Sequence, residues 1–161
     1  MNNLLKLFKS DQKNTRLFKK GVIDSNVFSR RTIRNISSFL KTIEKSGFPK
    51  YLEDPNIYKM AITLLLHTPL VELKKNYNKI KGRTETSLLT QDKAYIIDRI
   101  NILSNRKQTY GTNYRIFNDK IIFLPIKFEK NVDKRRRKMG LCSLSDYKKF
   151  IKGKRRDVNL C

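Results

Sequence analysis

Tryptophan is absent, histidine occurs once, cysteine twice, proline four times and glycine six times among the 161 residues. Each scarcity excludes something. A single histidine, His67, rules out paired-histidine metal spacing and leaves imidazole chemistry one candidate. Cys142 and Cys161 allow at most one bridge and no Cys-x-x-Cys spacing, so neither a disulfide framework nor a cysteine zinc site is indicated, and a reducing cytoplasm fits. The longest apolar run, Ala61 to Leu66, contains a threonine and falls far short of the roughly 20 residues that cross a bilayer. Neither a membrane span nor a hydrophobic signal core is expected, and the expected location is cytoplasmic. Few glycines and prolines leave room for long regular elements.

Negative charge is also scarce. Fourteen Asp and Glu stand against 37 Lys and Arg, a net charge of +23. Codon bias toward lysine would enrich glutamate too, and glutamate is rare here, so bias is an incomplete explanation. Self-repulsion on that scale is relieved by anions, which points to nucleic acid or another polyanionic assembly as partner. The excess is uneven: residues 1–50 hold twelve basic and three acidic residues, 51–133 hold fourteen and nine, and 134–156 hold eleven and one.

What is present reads as helices. At 39% hydrophobic and 10% aromatic the chain can bury a core, and its length fits one domain, 1–153, followed by a basic tail, 154–161. Leu4, Leu7, Phe8 and Phe18 mark a first helix ending at Gly21, and their stripe passes through Asp11, where a core residue would normally sit. Asp24 or Ser25 caps a second helix with Ile33, Ile36, Leu40 and Ile43 inward and Arg30, Arg31 and Arg34 on the other face. Asp54-Pro55 opens a third with Ile57, Met60, Ala61, Leu64 and Leu65, whose stripe His67 extends. A helix over 71–81 ends at Gly82. Thr90, with Gln91 and Asp92 in the first turn, opens another through Leu103, with Ile96, Ile97, Ile100 and Leu103 inward and Asp98-Arg99 between them. Runs 108–117 and 120–126 predict a β-hairpin turning at Asn118-Asp119. A helix over 132–139 ends at Gly140, and Ser143 with Asp146 caps a last one. The fold class is mainly α (α+β): a compact helical domain, one small β-hairpin and a basic C-terminal segment.

Asp11-Gln12 with Arg16, His67, Ala94-Tyr-Ile-Ile-Asp98-Arg99, Gln108-x-Tyr110-Gly111-Thr112 and Val132-Asp133-Lys-Arg135-Arg136 through Gly140 follow an order and spacing that resembles a bacterial family of unknown function, DUF6624. The resemblance runs through nearly the whole chain. It implies a compact shared fold and a shared polar pocket, and it names no reaction.

Two functions compete. The leading expectation is a basic polyanion-binding protein without strong sequence preference, associated with nucleic acid or a ribonucleoprotein assembly. Its contacts would be Arg30, Arg31, Arg34, Arg135, Arg136, Arg137, Lys148, Lys149, Lys154, Arg155 and Arg156, with Tyr147 and Phe150 interleaved for stacking. The alternative is a small enzyme whose site gathers His67, Asp11, Asp98, Arg99, Gln108 and Tyr110, a carboxylate orienting the imidazole. No serine or cysteine has a nucleophile's context. Gly111 marks either a bulge or the close approach of a ligand or backbone. No cofactor or metal is implied.

Overall fold

The structure, a computed structural model, describes residues 2–82, 88–118 and 120–153. Among them are seven α-helices and one antiparallel two-stranded sheet, so the fold is mainly α with a small β element. The chain forms two compact units, Met1–Leu88 and Leu89–Cys161. No described helix is long and apolar enough to cross a membrane.

The first unit contains α1 (Asn2–Lys19), α2 (Ser25–Ser46), α3 (Pro55–Leu66) and α4 (Leu70–Ile80). Gly21, at φ 69°, closes α1: its N–H bonds Phe18 and the next N–H bonds Leu17, which satisfies carbonyls the helix leaves open. Asp24 then caps α2 by accepting the N–H groups of Asn26 and Val27, and Asp54 caps α3 in the same way with Pro55 in the first turn. α1 and α2 run antiparallel, as Asn3 bonding Thr42, Ser10 bonding Asn35 and Phe18 stacking on Phe28 require. Phe39, Tyr58, Ala61, Leu64, Leu65 and Leu73 form the core of this unit, each exposed by 1% or less. Complete burial of such a side chain is worth about 1.5–3 kcal/mol. The inward face of α2 runs through Ile36, Phe39 and Ile43. Ile33, expected among them, lies roughly a quarter turn away and is 60% exposed.

The second unit contains α5 (Thr90–Leu103), β1 (Tyr114–Phe117), β2 (Lys120–Phe123), a 3-10 turn (Glu129–Asn131), α6 (Val132–Lys138) and α7 (Leu144–Gly153). α5 opens at Thr90 and runs through Leu103, the expected bounds, and Leu89 at its N-cap makes no side-chain cap bond. Inward on α5 are Ala94, Ile96 and Asp98, while Ile97, Ile100 and Leu103 are half-buried. β1 and β2 pair from Tyr114 with Phe123 to Phe117 with Lys120. Asn118 adopts a positive φ of 46° at the turn, and Asp119 lies outside the described residues. Ile121 of β2 packs with Tyr147 and Ile151 of α7, flanked by Phe123 and Phe150.

The expected first strand is cut short. Residues 108–113 form no strand and keep a single bridge, Gln108 with Ile126. The reason lies on α5, where Asp98 takes the N–H groups a ladder would need.

Candidate functional site

The polar residues of the expected enzyme site divide between the two units. In the first, Asp11 sits on the inward stripe of α1 at 4% exposure. His67 ends α3, and its Nδ1 stands 3.1 Å from Asp11 Oδ2, to which Gln12 also donates at 3.1 Å. A carboxylate so placed selects the tautomer with hydrogen on Nδ1 and leaves Nε2 as the acceptor. The imidazole is 40% exposed, so the sequence expectation of His67 as part of an apolar stripe is corrected: α3 ends one residue before it, and the ring projects outward. A cavity of about 350 Å³ in this unit is lined by Leu4, Thr42, Gly47, Lys50, Glu53 and Asp54 among others, and neither His67 nor Asp11 lines it.

In the second unit the polar residues build a clamp. Asp98 is fully buried. Its carboxylate accepts the backbone N–H of Thr109 at 2.6 Å, of Tyr110 at 3.0 Å and of Thr112 at 3.0 Å, and the Thr112 hydroxyl at 3.0 Å. Opposite charges hold the carbonyl side of the same loop. Arg136, 1% exposed, donates to Tyr110 O at 2.7 Å and to Cys142 O at 2.6 Å, and its guanidinium lies 4.9 Å from the centre of the Tyr147 ring. Arg135 donates to Thr109 O at 2.8 Å and also reaches the carbonyls of Lys127 and Phe128. The N–H groups of Thr109, Tyr110 and Thr112 thus point at an anion, and the carbonyls of Thr109 and Tyr110 at cations. Hydrogen bonds to ionised groups are about twice as strong as neutral ones, and buried charge requires such partners.

Gln108, also fully buried, completes the arrangement. Its amide donates to Asn113 O at 2.9 Å and Leu124 O at 2.7 Å and accepts Asn113 N–H at 2.9 Å. Gly111 has φ 71°, and a Cβ there would stand 2.9 Å from side-chain carbons of both Ile126 and Leu144. The close approach at Gly111 is therefore made by the protein's own side chains. Tyr147 donates its hydroxyl to Thr112 O at 3.3 Å.

This bonding decides what the second unit's residues can do. Asp98 and Gln108 spend their polar atoms on the loop's own backbone and, for Asp98, the Thr112 hydroxyl. Burial raises the Tyr110 phenol above its ordinary pKa, with Asp98 adding to the effect. Burial lowers the Arg99 and Arg136 guanidinium pKa values from their ordinary range. Among the described residues no group of three His, Cys, Asp or Glu side chains stands together to hold a metal.

The expected phosphate contacts also separate. Arg30, Arg31 and Arg34 are exposed on α2, Arg137 on α6, and Lys148 and Lys149 on α7, where Lys149 pairs with Asp146 at 3.2 Å. Arg136 is removed from that set by its burial, and Arg135 is half-buried with its donors occupied. Lys154, Arg155 and Arg156 lie outside the described residues. Sequence reading missed a row on α1. Lys6, Lys9, Lys13 and Arg16, continued by Lys20, recur every three or four residues, and all are exposed. They project opposite the buried line through Leu4, Asp11 and Asn14. The period of 3.5 in Lys and Arg was the available signal.

The profile of a family of unknown function, DUF6624, matches residues 67–155, more than half of the sequence, and the chain belongs to that family. The match takes in His67, Asp98, Gln108, Tyr110 and the Arg135-Arg136 pair, and the α1–α2 hairpin precedes it. No curated protein and no solved structure gives a significant match.

Proposed function

We propose that this DUF6624 member binds polyanions, nucleic acid foremost, through the outer face of the α1–α2 hairpin. The observation that carries the reading is the pair of basic rows on these helices. Lys6, Lys9, Lys13, Arg16 and Lys20 form one, and Arg30, Arg31, Arg34, Lys41 and Lys45 the other; all are exposed. At ~1.5 Å of rise per residue each row spans about 22 Å. Ten cations over that length supply one per ~2 Å, dense enough to neutralise a phosphate backbone laid along them. The only acidic residues of the two helices are Asp11, which is buried, and Glu44. Long lysines and arginines contact phosphates without reading bases, so sequence preference is weak.

Salt titration of nucleic-acid binding tests this. Affinity falls steeply with salt, and replacing Lys6, Lys13 and Lys20 by Gln flattens the log–log slope by about 2–3, at ~0.7–0.9 per phosphate contact. Replacing Lys148 and Lys149 has the smaller effect, because Asp146 already occupies Lys149. Binding that ignores salt, or a triple variant with the parental slope, overturns the assignment.

A further inference from the structure

Phe128 is a large aromatic residue, 72% exposed, held at φ 44° and ψ 65°, a left-handed conformation that an L-residue with a bulky side chain rarely adopts. The conformation is imposed from outside. Arg135 donates to the Phe128 carbonyl and to that of Lys127, and the N–H of Asn131 bonds the same Phe128 oxygen at 2.9 Å. The ring has no aromatic partner among the described residues, and Lys127 Nζ lies 5.4 Å from its centre. Packing does not explain a strained backbone that sets an aromatic ring in solvent, since the ring buries little. Strain that the surroundings over-determine marks positions where a side chain is presented to something.

The neighbours say to what. Lys127 stands over the ring, Lys130 and Lys134 follow within six residues of it in the chain, and all three are exposed; of the acids in this stretch Asp133 is engaged as acceptor of Leu144 N–H at 2.7 Å, which leaves Glu129. An apolar protein groove is a poor match for a ring that carries a lysine on one side in so basic a stretch. We infer that Phe128 is a base-stacking platform for single-stranded nucleic acid, with Lys127, Lys130 and Lys134 meeting the flanking phosphates. Lys127 occupies one side of the ring, and a nucleobase stacks on the other. This assignment rests on the polyanion reading above and adds the class of polyanion: one with unpaired bases.

The test uses the full chain with three probes: a mixed-sequence single-stranded oligonucleotide carrying 2-aminopurine, the matching duplex, and inorganic polyphosphate. The wild-type protein binds the single strand more tightly than the duplex and quenches 2-aminopurine. Phe128→Ala loses roughly 5- to 100-fold of single-strand affinity, the worth of one base–aromatic stack, loses the quench, and keeps its polyphosphate affinity. Phe128→Gly separates presentation from folding. Glycine is relaxed at positive φ, so its melting temperature stays at or above the parent's while single-strand affinity falls. Unchanged single-strand affinity in both variants, or a melting temperature that drops with Phe128→Gly, overturns the platform. A chain that binds polyphosphate but prefers duplex overturns the platform alone, and one that binds no probe overturns the polyanion reading with it.

Discussion

Asp98 meets four donors and, among the described residues, no cation directly, so its charge is balanced through the loop rather than across a salt bridge. Asp98→Asn keeps the shape and turns one acceptor into a donor. At least two of the N–H or O–H groups then face N–H, and Arg136 keeps its charge with its counterweight gone. The expected loss is about 3–5 kcal/mol, the usual cost of breaking one side of a buried charge arrangement. Urea unfolding measures it; a loss below about 1 kcal/mol would show that the clamp is ornamental. At the same scale the sequence signalled that Asp98, Gln108 and the arginine pair matter together, and it withheld how. Local spacing says that Asp98 and Arg99 diverge on a helix, but only the fold brings Arg136 to the carbonyl of Tyr110.

Among the elements, α7 carries the most chemistry. Tyr147 is buried by the β-hairpin, contacts the rings of Tyr95, Tyr114, Phe123 and Phe150, and has its hydroxyl pKa pushed far above the ordinary phenol value by that burial, with Tyr95 contributing. Burial likewise raises Tyr95. For a group whose neutral form is favoured by folding, stability is whole below the unfolded pKa of about 10 and declines above it, where only the unfolded chain gives up the proton. Tyr147→Phe therefore destabilises slightly near neutrality and loses stability less steeply than the parent above about pH 10, as thermal melts at paired pH values would show; parallel curves refute it. Helix boundaries were legible because caps are local: Asp24, Asp54, Ser143 and the glycines after α1 and α6 sit where short-range bonding needs them. The strands were over-read at 108–113, where β-rich composition yields to a carboxylate ten or more residues back in the chain.

The whole molecule carries +23, and this charge gives salt two opposite effects. Screening weakens phosphate contacts, yet it also relieves repulsion within the protein. The melting temperature therefore rises between about 20 and 200 mM NaCl, over which the Debye length falls about threefold, while nucleic-acid affinity falls over the same interval. Differential scanning fluorimetry beside the binding titration checks both signs, and a melting temperature indifferent to salt would mean that the surface charges are already compensated in the free chain. Composition announced the charge; helical period was needed to place ten of the 37 cations on one hairpin.

The seam inside that hairpin bears on this. Ser10 and Asn35 exchange hydrogen bonds at 3.1 and 3.3 Å, and Asn14 and Asp11 are buried along the same side of α1. Leucines in those places would hold the helices together about as well and would let them slide, since one apolar turn resembles the next. Polar side chains are intolerant of that: a slip of one turn, ~5.4 Å, would break the Ser10–Asn35 pair and the Asn3–Thr42 bond together. The seam thus acts as a vernier, fixing the two helices at one setting and with them the spacing between the two lines of cations on the outside.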